Sequence, residues 1–245
     1  MARQYDDATT IINDVAAEVG VSPVTDPYTS ANQVFQQLKN LINSAGRELV
    51  RYHKWEQLVK EHAILTQGTD SGDYPLPDDF SYMVDQTGWE RSENVPLWGP
   101  LSAQDWQYLL GRDLVSHTIY ASFRIAQGLF RLFPQPPPDG LDIHFEYINR
   151  NWVQSIADPA EFKSRTTVGT DIILYEPILM VKFLKAKYLE AKGFDSTAAR
   201  NDFALEFDAI TGQEKGAQIL NAGRGGQGIV YLDAFRSTPD TGYGG

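Results

Sequence analysis

The sequence predicts an α+β protein: a discontinuous α-helical bundle, an inserted β-rich domain of barrel or sandwich type, and an extended C-terminal arm. Three observations carry this expectation. Apolar residues recur at helical spacing near both ends, within 6–52 and again within 171–210. In the middle the period falls to two, most clearly at Leu141, Ile143, Phe145 and Tyr147. Beyond the last helical stretch, "NAGRGGQG" (221–228) resists regular structure, because glycine costs backbone entropy. The expected division is a bundle from 1–60 and 171–222, a β-rich insertion from 61–170, and an arm from 223–245.

The elements follow in chain order. Ile11, Ile12, Val15, Ala16 and Val19 share a helix face over 6–19, and Gly20 is the expected stop. Thr29 or Ser30 is expected to cap a long second helix with the stripe Val34, Phe35, Leu38, Leu41, Ile42, Ala45, Leu49 and Tyr52. Residues 58–66 read as a strand or as a helix end turning into one, Asp78-Asp79-Phe80 as a turn, and Tyr82-Met83-Val84 as a further strand. A short helix is expected over 101–112, capped by Ser102, with Trp106, Leu109 and Leu110 on its apolar side. Strands are expected at about 117–126, 129–134 and 141–149, and 155–170 reads as loop. A helix over 171–192 buries Ile178, Val181, Leu184 and Tyr188 and ends at Gly193. Asp195 or Ser196 caps a final helix on which Ala199, Phe203, Phe207 and Ile210 align.

Composition removes several function classes. The chain has 245 residues, 42% hydrophobic and 22% charged, as in ordinary globular proteins. No apolar run approaches the roughly 18 residues of a membrane span, and no membrane partner is expected. The first residues lack the apolar core of a signal peptide. Cysteine is absent, which excludes disulfides and thiolate metal sites. A net charge of −11 is a poor basis for gripping phosphates. Residues 67–95 concentrate this charge, with seven acids against Arg91 alone.

Motifs for catalysis are weak. Gly223, Gly225 and Gly228 spell G-x-G-x-x-G, but a helical stretch precedes them and a β-prone run follows, the reverse of a dinucleotide site. His53, His62, His117 and His144 form no tight ligand pair, so structural roles are expected for them. No catalytic residue, cofactor or metal is expected. Asp78 and Asp79 are the candidates if the chain is instead a cell-wall hydrolase, although acids after a proline pair favour turns. Trp89 and Trp98 are the handles if it is a carbohydrate-binding module. Lys182, Lys185, Lys187 and Lys192 are open to three readings: a solvated helix face, a basic face toward the acidic segment of a neighbouring subunit, or a face near DNA.

The proline run in "LFRLFPQPPPDGLDIHFEYINR" (129–150) satisfies a P-x-x-P spacing at Pro134 and Pro137. Its flanks alternate as strands, however, and Asp139-Gly140 suits a tight reversal. Pro136, Pro137, Pro138, Asp139 and Gly140 are therefore read as the rigid tip of a β-hairpin.

Three segments in order carry a family resemblance: "GDYPLPDDF" (72–80), "LFRLFPQPPPDGLDIHFEYINRNW" (129–152) and "ILMVKFLKAKYLEAKGFDSTAARNDFALEFDAI" (178–210). Together they resemble the head-to-tail adaptors of short-tailed bacteriophages, the tail tubular protein A or gatekeeper type. The resemblance implies a structural virion protein with no enzymatic role, assembled in the host cytoplasm. It implies a self-associated ring of twelve copies between the portal protein and the tail nozzle protein, with genomic DNA passing through unread. It also implies a C-terminal arm on the portal, for which Tyr231, Leu232 and Phe235 are the candidate anchors. The tip at Pro136–Gly140 would then face the nozzle.

Overall fold

The computed structural model of the chain describes residues 5–111 and 122–214. They form a mixed α+β structure in two compact units. The first comprises the described parts of Met1–Lys60 and Ile148–Gly216, the second that of Glu61–Tyr147.

In the first unit, α1 (Ala8–Glu18) starts where the Asp7 carboxylate accepts the Thr10 N–H. It buries Ile11, Ile12, Val15 and Ala16. Gly20, at φ 78°, follows its end in the left-handed region, as expected of a stop. α2 (Gln33–Tyr52) is capped by Asn32, whose side chain accepts the Val34 N–H. Asn32, not Thr29 or Ser30, therefore fills that role; Ser30 Oγ instead accepts the Asn32 N–H.

α4 (Pro177–Lys192) lies against α1, α2 and α5 (Thr197–Glu214). A helix with neighbours on several sides is apolar around most of its circumference. Leu179, Met180, Val181, Phe183, Leu184, Ala186 and Tyr188 are accordingly buried. Ile178, expected inside, is 53% exposed. Pro177 opens α4 at a position that needs no N–H, and Gly193 closes it at φ 75°.

Residues 148–170, expected in the β-rich insertion, pack with the helices instead. Trp152 is the reason. Its ring lies so close to α2 that a Cβ at Gly46 would come within 2.3 Å of the indole. Trp152 stacks on Tyr175 at 5.8 Å, Tyr175 meets Trp55 edge-on at 5.4 Å, and the Tyr175 hydroxyl donates to the Gly46 carbonyl at 3.0 Å. Within the stretch expected as loop, β10 (Phe162–Lys163) pairs with β9 (Val153–Gln154), whose other edge takes β11 (Ile172–Ile173), so the residues just after 170, expected to open a helix, form a strand and α4 starts only at Pro177. The turn after β10 is tied to α2, with the Thr166 N–H donating to Asn43 at 2.8 Å.

The second unit has two sheets. In one, the order is β1 (Val59–Leu65), β8 (Asp142–Asn149), β4 (Trp89–Glu90) and β5 (Val95–Pro96), with β3 (Phe80–Met83) also on β8. In the other, β7 (Leu129–Phe133) lies between β2 (Asp73–Pro75) and β6 (Ser122–Ala126). β6 and β7 make a hairpin across Gln127 (φ 57°) and Gly128 (φ 74°), the positive-φ pair that matches strand twist. Phe123 of β6 stacks on Phe130 of β7 at 4.8 Å, and Phe130 on Phe145 of β8 at 5.0 Å. This stack joins the two sheets. Ile143, Phe145 and Tyr147 all face this core, as their alternation predicts.

The proline corner needs correction. β7 and β8 belong to different sheets, so 134–141 is not a hairpin tip. Both edges of β7 are already taken by β2 and β6, which leaves none for β8. The prolines carry the chain from one sheet to the other.

Candidate interaction surfaces

The corner is built around Thr66, which is 1% exposed. Its hydroxyl donates to the Pro138 carbonyl at 2.6 Å and accepts the Leu141 N–H at 3.0 Å. The Gly140 N–H donates to the Thr66 carbonyl at 3.0 Å, and Asp139 accepts the Gly68 N–H at 3.1 Å. Pro137 is buried, whereas Pro136, Pro138, Asp139 and Gly140 are exposed. A proline-reading groove needs an extended, accessible P-x-x-P. With Pro137 covered, the corner presents a fixed surface rather than a peptide ligand.

The four α4 lysines do not share one face. At about 100° per residue, Lys182 and Lys187 point well apart around the helix. Lys182 pairs with Glu206 of α5 at 2.5 Å, Lys185 with Glu18 of α1 at 2.9 Å, and Lys187 with Glu48 of α2 at 2.7 Å. Lys192 lies 5.5 Å over the Tyr188 ring. Partners within the chain thus occupy three of the four charges that an inter-subunit face would use. Glu48 shows the result: burial pushes its carboxyl up, but the bond and charge of Lys187, with hydrogen bonds from Ser44 and Tyr52, together outweigh this and hold it below the ordinary range.

Asp79 accepts the Tyr147 hydroxyl at 2.8 Å. Burial and then this bond push the Tyr147 phenol up. The Phe80 N–H donates to the Pro77 carbonyl, so Asp78 and Asp79 sit in the turn their spacing predicts. Of the two tryptophans proposed as sugar handles, Trp89 is half-buried and Trp98 is 50% exposed. Ser102 caps α3 (Ala103–Gly111) by accepting the Asp105 N–H. Only Trp106 of α3 is buried, and Leu110 is 45% exposed. Tyr231, Leu232, Phe235 and the G-x-G-x-x-G glycines lie outside the described residues. Among the described residues, no helix is long and apolar enough to cross a membrane.

Sequence reasoning missed two buried carboxylates held by backbone donors. Asp171, fully buried, accepts the N–H groups of Thr167 (2.7 Å) and Val168 (3.1 Å) and pairs with Lys163 at 2.9 Å. Glu90, 1% exposed, accepts the N–H groups of Ser92, Glu93 and Asp142. Burial raises both carboxyls, but these hydrogen bonds more than offset it and keep them below the usual carboxylate range. Their common role is to fix turns.

The large exposed apolar side chains of the first unit include Tyr52 on α2, Ile178 on α4, Phe194 after α4 and Leu205 on α5. No curated protein matches the chain. The SU10 adaptor protein family matches residues 6–227, nearly the whole length, in agreement with the adaptor resemblance. The chain belongs to the SU10 adaptor family of phage head–tail adaptors and is a structural adaptor of the virion.

Proposed function

We propose that the chain forms a dodecameric ring between the portal protein and the tail nozzle protein, lining the channel through which genomic DNA passes. The observation that carries this reading is the uncovered apolar surface of the helical unit. Ile178, Phe194 and Leu205 are 53%, 64% and 71% exposed. Leaving apolar surface in water costs roughly 25 cal/mol per Å². A neighbouring copy in a ring covers such groups. The net charge of −11 suits a channel along which DNA must slide, because clustered lysines and arginines would hold it.

The arm at 223–245 docks on the portal through Tyr231, Leu232 and Phe235, large side chains that make effective anchors in a partner's pockets. The corner at Pro136–Gly140 faces the nozzle, where its hydrogen-bonded backbone offers a surface already fixed before contact. Assembly takes place in the host cytoplasm. The chain has no catalytic role.

Deletion of 223–245 tests the arm. The truncated chain is expected to keep the far-UV and thermal signature of its fold and to lose co-sedimentation with purified portal. Undiminished binding by the truncated chain overturns the arm assignment.

A further inference from the structure

The helical unit holds a cavity of about 370 Å³ between α2, α4 and α5. Tyr52, Phe183, Ala186 and Phe203 give it an apolar lining. Phe183 stacks on Phe203 at 4.3 Å, and Tyr52 meets Phe183 at 6.0 Å while staying 51% exposed. The charged groups at the cavity are paired with each other. Lys187 bonds Glu48 at 2.7 Å and lies 4.9 Å over the Phe183 ring, and Arg200 pairs with Glu190. Two acids and two bases leave the opening without net charge. An ionic ligand meets no unmatched partner there, whereas an uncharged apolar side chain would bury against three aromatic rings.

Such a side chain stands on the far side of the same helix. Phe203 and Leu205 are two residues apart on α5, so at about 100° per residue they point about 160° apart. Phe203 lines the cavity, and Leu205 points away from the bundle, 71% exposed. Ala198, Ala209 and Gly212 share this outer face of α5 and are exposed, so Leu205 projects from small residues as a knob. Phe194, also exposed, lies instead in the turn that joins two of the cavity's walls, α4 and α5. A twofold contact between copies uses one patch on both of them. A ring needs two different patches, and with many copies these lie on nearly opposite sides of each copy. The cavity and Leu205 meet that requirement.

We propose that Leu205 of each copy seats in the cavity between Tyr52, Phe183 and Phe203 of the next copy, a head-to-tail contact that repeats around the ring. The contact rests on the ring reading above and specifies which surfaces of the helical unit meet.

The chain contains no cysteine, so an introduced pair reports a single contact. The test uses full-length Ala186→Cys/Leu205→Cys, loaded on assembled portal and then oxidised. A ladder of disulfide-linked multimers, reversed by reductant, is expected on a non-reducing gel, with none from either single variant. Native mass spectrometry of the same sample reads loading on the portal. A loaded portal without the ladder overturns the contact and leaves the ring standing; failure of the wild type to load overturns both. Leu205→Glu supplies a second readout if the cysteine pair does not fold, because an exposed position tolerates the change in the free chain. It is expected to keep the wild-type melting temperature and to need at least about tenfold more protein for half-loading. Loading as tight as that of the wild type overturns the contact, and loss of nozzle binding in its place assigns Leu205 to that partner.

Discussion

Gly46→Ala is the sharpest test of how the helical unit is packed. The added Cβ would lie 2.3 Å, 2.3 Å and 2.4 Å from three carbons of the Trp152 indole. Carbon contacts are ordinary from about 3.5 Å, so the indole or the α2 backbone must retreat by roughly 1 Å. The indole has little freedom to do so. It is fully buried, stacks on Tyr175, and donates through Nε1 to the Ser164 carbonyl at 3.0 Å. Moving α2 instead stretches the bond from the Tyr175 hydroxyl to the Gly46 carbonyl. Overpacking in such a site costs about 3 kcal/mol, at the upper end of the usual range. Alanine recovers about 1 kcal/mol through helix propensity. The net loss is about 2 kcal/mol, or roughly 4–8 °C in melting temperature for a chain of this size. Differential scanning calorimetry reads it directly. Gly212→Ala on α5 is the control, since a Cβ there meets nothing within 4 Å and should stabilise by up to about 1 kcal/mol. If Gly46→Ala matches or exceeds the wild type, the seating of Trp152 on Gly46 is refuted.

Further outcomes follow from the pinned turns. Asp171→Asn leaves the Lys163 ammonium without its carboxylate and is expected to cost about 3 kcal/mol, read by urea denaturation; a change under about 0.5 kcal/mol contradicts the assignment. Asp171 and Glu90 both titrate below their ordinary values when folded, so their stabilisation is complete above the unfolded carboxylate pKa of about 4 and is lost as pH falls through the folded values. Glu90→Gln should therefore flatten the acid limb of the stability curve, and an unchanged limb contradicts this linkage. Thr66→Val removes both hydroxyl bonds at the proline corner and should cost about 1–3 kcal/mol, with faster amide exchange at Gly140 and Leu141; unchanged exchange there would show that Thr66 does not pin the corner.

The helices were legible because their signals are local. The stripe on α2 and the glycine stops at Gly20 and Gly193 need no distant partner to be recognised. α4 was harder. Its neighbours on several sides blur the periodicity, which is why Ile178 was placed inside while Leu179 and Met180 were not singled out. Alternation in β8 revealed the buried face of the strand but not its partners. Pairing is long-range, so two strands joined by a short proline link read as a hairpin although β7 already had neighbours on both edges. Trp152 was visible as an aromatic, but its seat on Gly46 joins positions far apart in sequence. The lysines of α4 resembled a basic face because composition ignores direction around a helix.

The adaptor family is shown by the match over residues 6–227, and the ring on the portal is the central claim built on it. Native mass spectrometry of the chain, alone and with assembled portal, tests that claim most directly. The account predicts that twelve copies join each portal assembly whatever the state of the chain alone. Retention of the free mass in the presence of excess portal, with no complex formed, contradicts it.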